Sequence, residues 1–115
     1  MASARADRAL VLLDILNRYM LSRAADGSDT ETGREIVQAH FFGARALFTD
    51  ESSTNLAAFS RELTFADPVD AEMEILASWH GKVSRRFFRL HFAWPVPALA
   101  AKLKVLYYGP KLTKS

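Results

Sequence analysis

At 115 residues, half of them hydrophobic and about a quarter charged, the chain has the composition of one globular domain, which excludes a disordered segment. Its 8 Phe, 2 Trp and 3 Tyr supply ample apolar area for a core, and the absence of cysteine excludes a disulfide framework and thiolate zinc sites. The formal net charge of +2 hides a partition: seven arginines face thirteen acids up to Glu74, whereas eight bases and no acid follow it. The first part therefore carries −6 and the second +8.

In chain order, Ser3 to Arg23 reads as a helix. Leu10, Leu13, Asn17 and Met20 form one stripe, and Leu12, Ile15, Leu16 and Tyr19 widen it, so burial on more than one side is expected. Asp14 and Arg18 interrupt the apolar run, which suits neither a membrane span of about 20 apolar residues nor a signal peptide. With no cysteine to protect, the chain reads as cytoplasmic, with no membrane partner. A polar loop, Ala24 to Glu31, leads to Thr32 and Glu35, spaced as a capping box. Ile36, Val37, His40, Phe41, Ala44, Leu47 and Phe48 then give a second helix an apolar face, with His40 as a core residue. The two helices read as a hairpin.

Asp50 to Thr54 is a polar break, and Leu56, Phe59 and Leu63 mark a short third helix. Asp67–Pro68 is a boundary after which residues 68–80 are either helix or strand; a helical turn leading into a strand from Ile75 to Lys82 is favoured. Arg86 to Trp94 alternates as a strand, with Phe88, Leu90, Phe92 and Trp94 on one face. Ala98 to Lys102 reads as a helical turn, and Leu103 to Tyr108 as a second strand closed by Gly109–Pro110. Helices followed by strands give an α+β fold: a helical hairpin and a short third helix packed on one face of a small C-terminal antiparallel sheet. The whole chain reads as one domain, helical and acidic over 1–66, mainly β and basic over 67–115.

The charge partition points first to a nucleic acid or other polyanion held on the C-terminal sheet face. Lys82, Arg85, Arg86, Arg89, Lys102, Lys104 and Lys111 would be the phosphate contacts, with exposed aromatics available for stacking. A hairpin of Ile75–Lys82 with Arg86–Trp94 also sets His80 opposite His91 and Lys82 opposite Arg89 on the outer face. If Leu103, Val105 and Tyr107 face in, Lys102, Lys104 and Tyr108 join them outside. Two imidazoles with cations are the parts of a metal-independent endoribonuclease, His80 and His91 as acid and base and Tyr108 a third candidate catalytic group.

The order of a helical hairpin followed by a basic sheet resembles the small ribosome-dependent endoribonuclease toxins of toxin–antitoxin pairs, in element order and charge and not in any motif. A third reading is a non-enzymatic assembly or regulatory subunit docking on an acidic protein partner, or a homo-oligomer. No cofactor is expected. Two histidines without a nearby acid make a poor metal site, so no metal ligand set is expected either.

Overall fold

A computed structural model describes residues 4–84 and 88–113. The fold is α+β. Helix α1 (Ala4–Ser22) and helix α2 (Glu31–Phe41) form the hairpin; β1 (Phe48–Asp50), α3 (Ser53–Phe59), β2 (Thr64–Ala66), β3 (Glu74–Leu76), β4 (Trp79–Lys82), β5 (Phe88–Phe92) and β6 (Val105–Pro110) follow. A four-stranded antiparallel sheet has the order β1-β4-β5-β6, and β2 and β3 form a separate two-stranded sheet. No described helix is long and apolar enough to cross a membrane.

Helices α1 and α2 cover one face of the larger sheet. From α1 the buried residues are Leu12, Ile15, Leu16 and Tyr19, a stripe at helical spacing. This corrects the wider burial expected: Leu10, Leu13 and Leu21 of the same helix are exposed, because a single sheet covers a single side. Phe41 from α2 and Phe48, Leu90 and Phe92 from the sheet complete the core with Val83. Their rings meet at edge and tilted angles, Phe48 and Phe92 with centroids 5.2 Å apart. Gly81 lets α1 approach the sheet, since a Cβ there would stand 2.8 Å from Leu12 Cδ1 and 3.1 Å from the Phe48 ring.

Several boundaries differ from the sequence reading. Helix α2 starts at Glu31 under Thr30, whose hydroxyl accepts from Gly33 N, so the cap lies two residues before Thr32. It stops at Phe41; Gly43, with φ of +85°, turns the chain, and Phe48 belongs to a strand. His40 in its last turn is half-buried, not a core residue. The stretch read as helical thus contains β1 and β2.

Residues 68–80 are turns and strand, and the run from Ile75 to Lys82 is broken after Leu76. Its first part pairs with β2 and its second with β1 and β5. Residues 98–102 form turns. Gly109 and Pro110 do not close β6 but belong to it, the proline as the last residue of an edge strand, where proline is tolerated.

The small sheet folds over one end of the face that the helices leave open. Ala77 N donates to Leu63 O at 2.8 Å, Phe65 stacks on Tyr107 with centroids 5.8 Å apart, and Lys104 Nζ reaches both oxygens of Asp67 at 2.7 and 2.9 Å. The remainder of that face is a polar cleft.

Candidate acid–base site

The register between β4 and β5 places the cleft floor. His80 pairs with His91 and Lys82 with Arg89, as the alternation of the sequence predicts, and the two imidazole centroids lie 5.1 Å apart. On the other side of β4, Thr49 pairs with His80. Two residues beyond Thr49, Glu51 falls on the same face and is anchored by its own N–H donating to Ser78 O at 3.0 Å. The short helix α3 adds Asn55, whose Nδ2 donates to Glu51 Oε1 at 3.1 Å. The cleft, about 210 Å³, is lined by these groups with Lys111 and Thr113 at its margin.

The polar contacts fix which atoms are available for chemistry. His91 Nδ1 lies 2.8 Å from Ala77 O. A carbonyl only accepts, so Nδ1 carries the hydrogen and the opposite nitrogen, Nε2, keeps its lone pair. His80 Nδ1 is 2.7 Å from Glu51 Oε2, and both side chains are less than a tenth exposed. The carboxylate sits off the ring's N–H direction, so this buried nitrogen has close contact but no aligned hydrogen bond. His80 Nε2 faces Thr49 Oγ1 at 3.3 Å. Arg89 is 5% exposed, and its Nη1 donates to Ser84 O and Phe88 O at 2.9 and 3.0 Å.

Burial sets the protonation of the pair. Desolvation pushes His80 from 6.5 down to about 4, opposed by the Glu51 carboxylate and reinforced by the neighbouring His91. Desolvation also lowers His91, against the pull of its bond to Ala77 O and of Glu51. Both imidazoles are therefore neutral at pH 7. Burial works against the charge of Arg89, and the Glu51 carboxylate works for it.

Not every expected residue is here. Lys82, Arg89 and Lys111 line the cleft. Lys104 is tied to Asp67, and Lys102 borders a separate hollow beside Trp94 and Pro95. Arg85 and Arg86 lie outside the described residues. Tyr108 is a correction: it pairs with Leu90 and meets Phe88 edge-on at 5.6 Å, on the helix side.

The phenol beside His91 is that of Tyr107, centroids 5.8 Å apart, because a register shift between His91 and Phe92 reverses which residues of β6 face outward. The expectation of no acid near the histidines is also overturned, by Glu51. Glu51, His80 and His91 each bring a potential ligand atom within 4.8 Å of the others. Nothing in the local sequence around Asp50–Glu51 marks it; only the pairing of β1 with β4 does.

Compared with known proteins, the chain matches no family model, no curated protein and no solved structure.

Proposed function

We propose that the chain binds single-stranded RNA in this cleft and cleaves it as an endoribonuclease, with no resident metal required. The observation that carries the reading is the buried Glu51–His80–His91 cluster on the floor of a cleft that also holds Lys82 and Arg89. The sequence reading of a broad basic sheet face gives way to a narrower one, in which the cleft cations hold the scissile phosphate and the cluster moves protons.

His91 Nε2 is the general base. It takes the proton from the ribose 2′-hydroxyl, whose oxygen attacks the adjacent phosphorus. The neutral state that burial imposes on His91 suits that task at pH 7. His80, in contact with Glu51 at 2.7 Å, acts as the general acid in its imidazolium form, which the Glu51 carboxylate favours and burial opposes, and gives that proton to the departing 5′-oxygen. Lys82 and Arg89 balance the charge that builds on the phosphorane oxygens. The products are a 2′,3′-cyclic phosphate and a free 5′-hydroxyl. A cytoplasmic setting, with RNA abundant, fits this role.

The test is cleavage of a fluorophore–quencher RNA in excess chelator, beside the same sequence as DNA and as 2′-O-methyl RNA. RNA alone should be cut, to a cyclic-phosphate end, and both His91→Gln and Glu51→Gln should slow cleavage by about 100-fold or more while the fold is kept. Cutting of all three substrates, or cleavage indifferent to both substitutions, defeats the proposal. Tight, salt-sensitive RNA binding without turnover would leave the binding half standing alone.

A further inference from the structure

The same three side chains have the composition of a transition-metal site, two imidazoles and one carboxylate. We infer that Glu51, His80 and His91 bind a single Zn²⁺ ion, which blocks RNA cleavage reversibly by occupying the groups that move protons. The binding site stands on geometry alone; the inhibitory consequence rests on the cleavage reading.

Three observations carry the site. First, one nitrogen from each ring and one Glu51 oxygen already lie within 4.8 Å of one another. Tetrahedral zinc, with bonds of about 2.0–2.2 Å, needs its ligands about 3.3 Å apart, so the gathering required is of the order of an ångström per side chain.

Second, His80 Nδ1 is buried, 2.7 Å from Glu51 Oε2 but without an aligned hydrogen bond, and among the described residues no other buried side-chain nitrogen or oxygen lacks a hydrogen-bond partner. A cation placed between the ring and Glu51 gives that nitrogen the partner its present geometry denies it. Third, the outer contacts that metal ligands ordinarily have are in place. His91 is oriented by Ala77 O through the nitrogen that would not bind, and Glu51 Oε1 is held by Asn55 Nδ2.

Arg89 and Lys82 oppose a cation electrostatically, a cost that the Glu51 carboxylate offsets; Arg89 Nη1 is engaged by the Ser84 and Phe88 carbonyls, and Lys82 is exposed at the mouth. A fourth ligand, chloride or water, would come from the cleft that the three side chains line. With no cysteine and three histidines in the sequence, a site with two imidazole ligands that excludes His40 must use this pair.

The experiment titrates untagged protein with ZnCl₂ by calorimetry, and follows the imidazole ring resonances of the wild type by NMR. One equivalent should bind, with the His80 and His91 rings shifting and the His40 ring unmoved. Glu51→Gln and His91→Gln should each weaken binding by tenfold or more, and His40→Gln should not change it. Zinc at saturating concentration should abolish RNA cleavage, and chelator should restore it.

Unshifted His80 and His91 rings at millimolar zinc, or unchanged affinity in a folded His80→Gln/His91→Gln variant, overturn the inference. The ring shifts are read on the native protein, so a variant that fails to fold does not shield the idea. Cleavage that proceeds in chelator without any zinc response sinks this inference and leaves the nuclease reading intact. Zinc bound at the site of a protein that never cuts RNA upholds the site and sinks the nuclease reading with the inhibition that depends on it.

Discussion

His80 Nδ1 lies 2.7 Å from Oε2 of Glu51, although the two are 29 positions apart in the chain and come from opposite sides of the charge partition. The contact exists because β1, three residues long, pairs at the edge of the sheet with β4 and brings Glu51 beside Ser78. The charge split is thus folded back on itself at this point. An acid from the first part sits among the histidines and cations of the second, in a setting where burial magnifies every electrostatic contact.

The first consequence is a pH dependence of stability. The folded state holds His80 at about 4 against 6.5 in an unfolded chain, and holds His91 below its ordinary value as well. Between these values the unfolded chain binds protons that the folded one does not, so stability is full above pH 6.5 and declines as the pH falls toward 4. For His80 the shift corresponds to on the order of 3 kcal/mol. Urea unfolding at a series of pH values should show the midpoint falling steadily from pH 7 to pH 4.5, and His80→Gln should flatten that slope. A midpoint constant across the range would contradict the buried, neutral pair.

Gly81 offers a test of how closely α1 is packed. It lies between His80 and Lys82 on the opposite face, and a methyl group there meets Leu12, which is completely buried, and Phe48, which is too. Neither can withdraw without opening the core. Gly81→Ala should cost about 1–3 kcal/mol in chemical denaturation, despite the better strand propensity of alanine. Pairing it with Leu12→Val, which withdraws part of the obstructing side chain, should recover some of the loss; two costs that simply add would show that the clash lies elsewhere.

Much of this arrangement was legible. The alternation from Arg86 to Trp94 set which residues of β5 face the helices, and it gave the pairing of His80 with His91 and of Lys82 with Arg89. Glu51 was not legible, because a three-residue edge strand carries too short a pattern to distinguish from a polar loop, and its partner is about thirty residues away. Tyr107 and Tyr108 were exchanged for a definite reason. Side chains alternate only while the ladder is regular, and the shift between His91 and Phe92 turns Val105 inward and Tyr107 outward together. The doubled apolar surface of α1 hid its true inner face for a similar reason: periodicity names the stripes, and the number of covering layers decides which one is buried.

Arg23 ties the two ends of the fold. Its Nε donates to Gly27 O at 3.0 Å, its Nη2 to Pro97 O and Ala98 O at 2.8 and 3.1 Å, and its Nη1 to Ala100 O at 3.3 Å. Gly27 has φ of +83°, and a Cβ there would collide with the Ala98 carbonyl. Arg23→Lys keeps the charge and loses the planar fork, so it should lower stability by about 1–2 kcal/mol. Gly27→Ala should be worse than Arg23→Lys, since it adds a forbidden backbone conformation to a steric conflict. Differential scanning calorimetry of the two variants ranks them directly; an Arg23→Lys unfolding temperature equal to that of the wild type would show that Arg23 does not hold the 97–100 segment.

Under the proposed function, Lys82 and Lys104 distinguish a charge that would meet RNA from one that serves the fold. Both were expected as phosphate contacts from composition alone. Lys82 is exposed at the cleft opposite Arg89, whereas Lys104 holds both oxygens of Asp67 and keeps that carboxyl below its usual range. Under the proposed function, Lys82→Ala should weaken binding of non-cleavable 2′-O-methyl RNA several-fold at low salt. It should also lower the slope of log affinity against log salt by about 0.7, the loss of one phosphate contact on a single strand. Lys104→Met should leave that affinity within about twofold and lower the thermal midpoint instead, because it strips Asp67 of its partner. Fluorescence anisotropy across a salt series, with a melting curve for each variant, decides the matter. If both substitutions weaken binding equally, the phosphate path runs over the whole sheet face and not through the cleft; if neither does, the cations of this cleft face something other than RNA.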